Sequence, residues 1–168
     1  MQRIIWVVWI GLITVACQES ENTSDFTGNE ITYALQPGSE YDVSGTVTLK
    51  ERRDGATTVL VALTGTEGSD KLPVHLHLGD ISAADADVAA LLSPVNARTG
   101  KSETLLTRLA NETEVTYASI TELEACIKIH LADTGPGRDV VLAGGNIGES
   151  FTKSLTSGRR GIGVCKSE

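Results

Sequence analysis

The chain has 168 residues, 22 acidic against 14 basic, and a formal net charge of −8 at neutral pH. That balance disfavours nucleic acid or an anionic lipid surface as an electrostatic partner, since both need a basic face. The length suits one domain with a full hydrophobic core.

The first element is a leader. Arg3 precedes an apolar stretch from Ile4 to Ile13, and Thr14-Val15-Ala16-Cys17 follows just before the composition turns polar. That order reads as a signal peptide. The run is shorter than the roughly 20 residues a helix needs to cross the hydrocarbon core, so a permanent span is the weaker reading. A small Ala16 directly before Cys17 resembles a bacterial lipoprotein processing site, although Thr14 stands where leucine is usual. We therefore expect a signal peptide over residues 1–16 and lipidation, palmitate-type acylation included, at Cys17. Ordinary cleavage near Ala16 is the alternative. The acyl chains would attach the protein to a membrane by burying methylenes at ~0.8 kcal/mol each.

Residues 17–29 read as an acidic tether, too polar to bury anything around the lone Phe26. The opening Gln18-Glu19-Ser20-Glu21 resembles signals that send lipoproteins to the outer surface in Bacteroidetes-type bacteria. This points to the cell envelope, at the outer membrane. The domain proper is expected over residues 30–168.

Apolar residues then alternate in Ile31/Tyr33/Leu35, Tyr41/Val43/Val47/Leu49, Val59/Val61/Leu63 and Val74/Leu76/Leu78. Period two predicts half-buried antiparallel strands. Asp54-Gly55 between the second and third runs is a hairpin signal, so 41–50 should pair with 57–64. Further strands are expected at 102–109, 125–131, 139–147 and 161–165. Two connections carry helical signals. Ser82–Asp85 forms a capping pattern before the Ala/Leu-rich 86–92, predicting a short helix or turn there, and Tyr117, Ile120 and Leu123 recur at helical spacing within 116–125. The expected fold class is all-β, an antiparallel Greek-key β-sandwich with one or two short helices in the connections.

With Cys17 committed to lipid, Cys126 and Cys165 remain as an even pair in an oxidising compartment, and a disulfide between them is the natural inference. Closing that loop would stabilise the fold by roughly 4 kcal/mol. Two buried thiols are the alternative.

The chain has three histidines, His75, His77 and His130. In Val74-His75-Leu76-His77-Leu78 and in Ile127-Lys128-Ile129-His130-Leu131 the imidazoles take the strand face opposite the apolar residues. If the two strands are neighbours the three rings converge, which makes a site for copper or zinc. The bland reading is a packing or hydrogen-bonding feature without metal. Asp80, Asp85 and Asp87 lack the alternation and closing Glu of a calcium loop and read as capping or solvated residues. Gly144-Gly145-Asn146-Ile147-Gly148 lies within or beside a strand, has no Lys-Ser/Thr after it and reads as a turn or bulge rather than a phosphate cradle. No Ser sits in a nucleophile elbow.

Val43-Ser44-Gly45-Thr46-Val47, Pro73-Val74-His75-Leu76-His77-Leu78-Gly79-Asp80, Ile129-His130-Leu131 and the 142–148 glycine segment together resemble the CHRD (chordin-type) domain, in its exported lipoprotein version. The resemblance covers most of the mature domain. It implies the sandwich of copper–zinc superoxide dismutase, with the His-x-His strand similar to the one that supplies two copper ligands there and His130 similar in type to another. It also implies an extracellular protein or glycan partner. A dismutase needs a further copper histidine that bridges to zinc, and more zinc histidines, and none is left here. Read from the sequence, the favoured function is a non-catalytic binding module anchored in the envelope, with a copper- or zinc-binding protein as the alternative.

Overall fold

A computed structural model describes residues 24–68, 70–83 and 86–157. The leader, Cys17, Asp85, Cys165 and the expected strand at 161–165 lie outside these residues.

Among the described residues eight antiparallel strands dominate: β1 (Phe26–Pro37), β2 (Ser44–Arg52), β3 (Thr57–Thr64), β4 (Lys71–Leu78), β5 (Val88–Asn96), β6 (Lys101–Leu106), β7 (Glu124–His130) and β8 (Val141–Ile147). Helix α1 (Tyr117–Glu122) precedes β7 and helix α2 (Gly148–Ser157) follows β8. Hydrogen-bonded neighbours run β1-β2-β3-β6-β5-β4-β7-β8 and the ends meet, so the sheet is a closed barrel. The expected antiparallel all-β fold is present with one short helix, α1, in a connection, while α2 follows the last described strand and the sheet closes on itself rather than forming the expected two stacked sheets. Two seams are thin. Asn96↔Lys101 is the one ladder pair between β5 and β6, beside the Ser93 amide donating to the Thr104 hydroxyl, and Gln36↔Gly144 and Pro37↔Ala143 are the ladder pairs between β1 and β8.

The alternation in the sequence sets the inside of the barrel. Leu35, Val47, Leu49, Val59, Val61, Val74, Leu76, Ile127, Ile129 and Ala143 are buried in one core, each from the inward face of its strand. The β2–β3 hairpin forms as expected, with Glu51 opposite Thr57. Gly55 turns it at φ +82°, a left-handed conformation that favours glycine, and Asp54 accepts a hydrogen bond from the Ala56 amide. Helix α1 carries a reciprocal cap, in which the Thr116 hydroxyl accepts from the Ser119 amide and the Ser119 hydroxyl accepts from the Thr116 amide.

Two expectations are corrected and a third is narrowed. The tether ends earlier than residue 29, because β1 begins at Phe26. Its polar residues pair rather than dangle: Thr27 and Asn29 both donate to the Glu51 carboxylate, and the Phe26 ring lies under Lys50 and Arg52, 5.7 and 5.6 Å from its centre. The Ala/Leu-rich 86–92 is not helical beyond a turn at Asp80–Ala83; Val88–Asn96 is a strand. A register shift opposite Leu76/His77 turns Ala89 and Ala90 inward together, which breaks period two and imitates a helical pattern. The 144–148 glycine segment lies in the expected strand as far as Ile147, with Gly144, Gly145 and Asn146 buried within β8, and the expected turn is confined to Gly148 at φ +56°.

The ladders also fix which strand ends lie together. Phe26 pairs with Arg52, Thr57 with Leu106, His77 with Val88, Leu78 with Ala125, and Ala125 with Ile147. These residues therefore mark one end of the barrel, where the chain enters β1. Pro37, Thr64, Lys71 and the Asn96–Lys101 turn mark the other.

Candidate metal centre

β4 and β7 are hydrogen-bonded neighbours, with His75 opposite Lys128 and His77 opposite Cys126. Opposed residues share a face, so the alternation that sends Val74, Leu76, Ile127 and Ile129 into the core sends His75, His77, Lys128 and His130 to the outside of the barrel. That outer face is not bare. Residues 79–83 and 86–87 and the loop of residues 131–140 fold over it, leaving His77 3 % and His130 2 % exposed. His75 is half-buried and forms the open side.

The three rings converge. Their centres are 4.6 Å apart for His75 and His130, 5.8 Å for His75 and His77, and 6.3 Å for His77 and His130. One nitrogen from each lies within 4.8 Å of the others.

Hydrogen bonding then fixes which nitrogens are available. His77 Nδ1 lies 2.8 Å from the Ala86 carbonyl and His130 Nδ1 lies 2.7 Å from the Arg138 carbonyl. A carbonyl only accepts, so each Nδ1 carries the proton and donates. In a neutral ring the lone pair is then on Nε2. Both Nε2 atoms are buried and without a hydrogen-bond partner. A buried acceptor left bare costs on the order of 1–3 kcal/mol, so two in one cluster call for an explanation.

The rings are held neutral. Burial lowers the His77 and His130 pKa values, against a smaller opposing effect of the carbonyl hydrogen bonds. His75 is lowered to about 4, first by burial and then by the mutual repulsion that charging His130 and His77 would add. Three neutral imidazoles, each with a nitrogen within 4.8 Å of the others, are what a metal ion requires. An outer carbonyl on Nδ1 is also how metal-binding histidines are usually oriented. The residues present thus fit a metal ion.

No family model matches the chain, and neither a curated protein nor a solved structure matches it. The site is therefore read from its own geometry.

Two residues that sequence reasoning passed over hold the loop above the histidines. Asn146 on β8 accepts from the Ile81 amide at 2.7 Å and donates to the Asp80 carboxylate at 2.7 Å. Lys128, fully buried, donates to the Ala83 carbonyl at 3.0 Å. A polar residue in an otherwise apolar strand was the available signal for each. Asp80 also accepts from the Ser82 amide and hydroxyl, a turn-forming role, and the histidines are the one cluster of metal-ligating side chains among the described residues. Cys126 is buried in β7; its expected partner Cys165 and the expected lipid site Cys17 are outside the described residues.

Proposed function

We propose that the protein is a lipid-anchored envelope protein whose β-barrel binds one copper or zinc ion through His75, His77 and His130. The observation that carries this reading is the pair of buried, bare Nε2 atoms on His77 and His130, each fixed by a carbonyl on the other ring nitrogen. Three imidazoles suit copper and zinc better than the oxygen-seeking cations, and they leave a coordination position for water or an incoming ligand. Bound there, copper would supply one-electron chemistry and zinc Lewis acidity. The chain's own contribution is to hold the rings neutral, oriented and largely dry.

The resemblance to CHRD domains supports the same reading. So do the two thin seams, which leave β1-β2-β3-β6 and β5-β4-β7-β8 as two four-stranded halves; we read the barrel as a flattened Greek-key sandwich. All three histidines are used by one site, so a two-metal superoxide dismutase is not proposed. Retention or sensing of a single ion asks least of these residues, and it replaces the non-catalytic partner-binding module as the leading function.

Titration of metal-free protein with copper and with zinc is the direct test. We expect saturable one-to-one binding that His77→Ala abolishes, and its absence at micromolar protein would leave the histidines as packing residues. Anchoring is tested separately by Cys17→Ala, which should move the protein out of the detergent phase. The Cys126–Cys165 bridge is tested by peptide mapping without reductant.

A further inference from the structure

Of the seven exposed large apolar side chains among the described residues, four lie near one another and Ile31, Tyr41 and Leu155 lie apart. Leu91 on β5 is 73 % exposed and Leu105 on β6 is 56 % exposed, with Val88 and Leu78 beside them at 42 % and 38 %. Leu91 and Leu105 line one shallow cleft and Leu78 and Val88 line a second, and the two clefts share Leu109 and Ala110. The two clefts thus adjoin, and the four side chains line one stretch of surface across β5, β6 and the end of β4. Scattered surface leucines need no explanation, but a contiguous apolar patch marks a contact surface.

The patch lies in the half of the barrel nearest the Phe26 end. Leu106, the neighbour of Leu105, pairs with Thr57 at that end, and Val88 pairs with His77 there. The chain enters β1 at the same end. Eight residues lie between Cys17 and Phe26, and the nine steps of chain at 3.3–3.6 Å each reach roughly 30 Å at most. A lipid on Cys17 therefore keeps this end of the barrel close to the bilayer. The patch has no excess of basic side chains to seek anionic lipid, since Arg108 at its edge is engaged by Glu112 and Glu114. Its contact is apolar.

We infer that the Leu78, Val88, Leu91 and Leu105 patch is a second membrane contact, which lays the side of the barrel against the lipid surface to which Cys17 tethers it. The inference rests on the proposed lipid anchor. One acyl-anchored point leaves a domain free to tumble, whereas an added apolar contact fixes its orientation. Leu91 is opposite His75 in the β4–β5 ladder, so this orientation turns the open side of the histidine cluster toward the membrane surface.

Both tryptophans, Trp6 and Trp9, precede Cys17, so in processed protein an introduced tryptophan is the sole one. Full-length chain carrying Leu91→Trp is expressed, purified as the lipidated form and reconstituted in phosphatidylcholine vesicles with and without brominated acyl chains. Leu105→Trp serves as an independent second probe. Tyr41→Trp, between β1 and β2 at the far end, is the control. We expect emission from positions 91 and 105 to shift to shorter wavelength and to be quenched by the brominated lipid, with position 41 unaffected. Unquenched, water-like emission at 91 and 105 overturns the inference. A blue shift without quenching, accompanied by a doubled mass, assigns the patch to a second copy and overturns it equally. Mass spectrometry on the same samples separates the two readings: unmodified Cys17 removes the anchor and the inference with it, whereas lipidated Cys17 with unquenched probes removes the inference alone.

Discussion

His77 and His130 face each other with ring centres 6.3 Å apart, and each gives its Nδ1 proton to a carbonyl of a different covering loop, Ala86 for one and Arg138 for the other. The site is thus tied to both loops before any ion enters. Removing either ring deletes a proposed ligand and the hydrogen bond that ties down one loop. His77→Ala or His130→Ala should weaken copper or zinc binding by more than the roughly 10–100-fold that losing an outer partner costs. Isothermal titration of the two variants checks this, and unchanged affinity in either would exclude that ring as a ligand.

Asn146 does for the 79–83 segment what no histidine can. It bonds the Ile81 amide and the Asp80 carboxylate at once. Asn146→Ala leaves the buried Ile81 amide without that acceptor and should destabilise the fold by about 1–3 kcal/mol. The Ala86 carbonyl belongs to the same loop, so metal affinity should fall as well, by about tenfold. Urea unfolding and metal titration on one preparation read both effects. A stability loss with full metal affinity would show that the Asp80–Ala83 turn does not position His77.

The strands were legible because their inward residues alternate, from Leu35 through Val47 and Leu49 to Val74 and Leu76. The histidine cluster was legible for the same reason, since alternation fixed the face of each ring once β4 and β7 were taken as neighbours. What escaped has local physical causes. The bulge at Ala89 disguised β5 as a helix, and the pairing of Thr27 and Asn29 with Glu51 turned polar residues into the start of a strand. Barrel closure at its two thin seams runs through three ladder pairs, and no local pattern announces those. The burial of His77 and His130 comes from loops whose sequences carry no period at all.

Gly145 shows why glycine stands inside the strand. A Cβ placed there would lie 2.3 Å from the Ala34 carbonyl of β1, closer than backbone atoms allow. Glycine at 145 is what lets β8 approach β1 and close that seam. Gly145→Ala should therefore cost about 1–3 kcal/mol or more, because the strands must separate. Gly55→Ala is the informative comparison. Nothing lies within 4 Å of its Cβ position, and only the φ of +82° is strained, so its cost should be nearer 1 kcal/mol. Thermal unfolding of the two variants decides whether closeness or backbone conformation matters more.

Acid should destabilise the metal-free protein through the same three rings. An unfolded histidine titrates near 6.5, while in the fold His75 is lowered to about 4 and His77 and His130 are lowered as well. Between those values the unfolded chain binds more protons than the folded one, so stability rises with pH across that window. The contribution is fully present above pH 6.5 and is lost as pH falls toward about 4. A full shift is worth 1.36 kcal/mol per pKa unit, but His75 is partly open to solvent, which reduces its share to about 1–2 kcal/mol. The same lowering weakens proton competition for the lone pairs, so a bound ion should stay on the protein below pH 6.5 rather than leave there. Urea midpoints measured from pH 7 to pH 4 on metal-free wild type and His75→Gln make the test. The variant should show a shallower decline, and parallel curves would mean that His75 is not titrating inside the cluster.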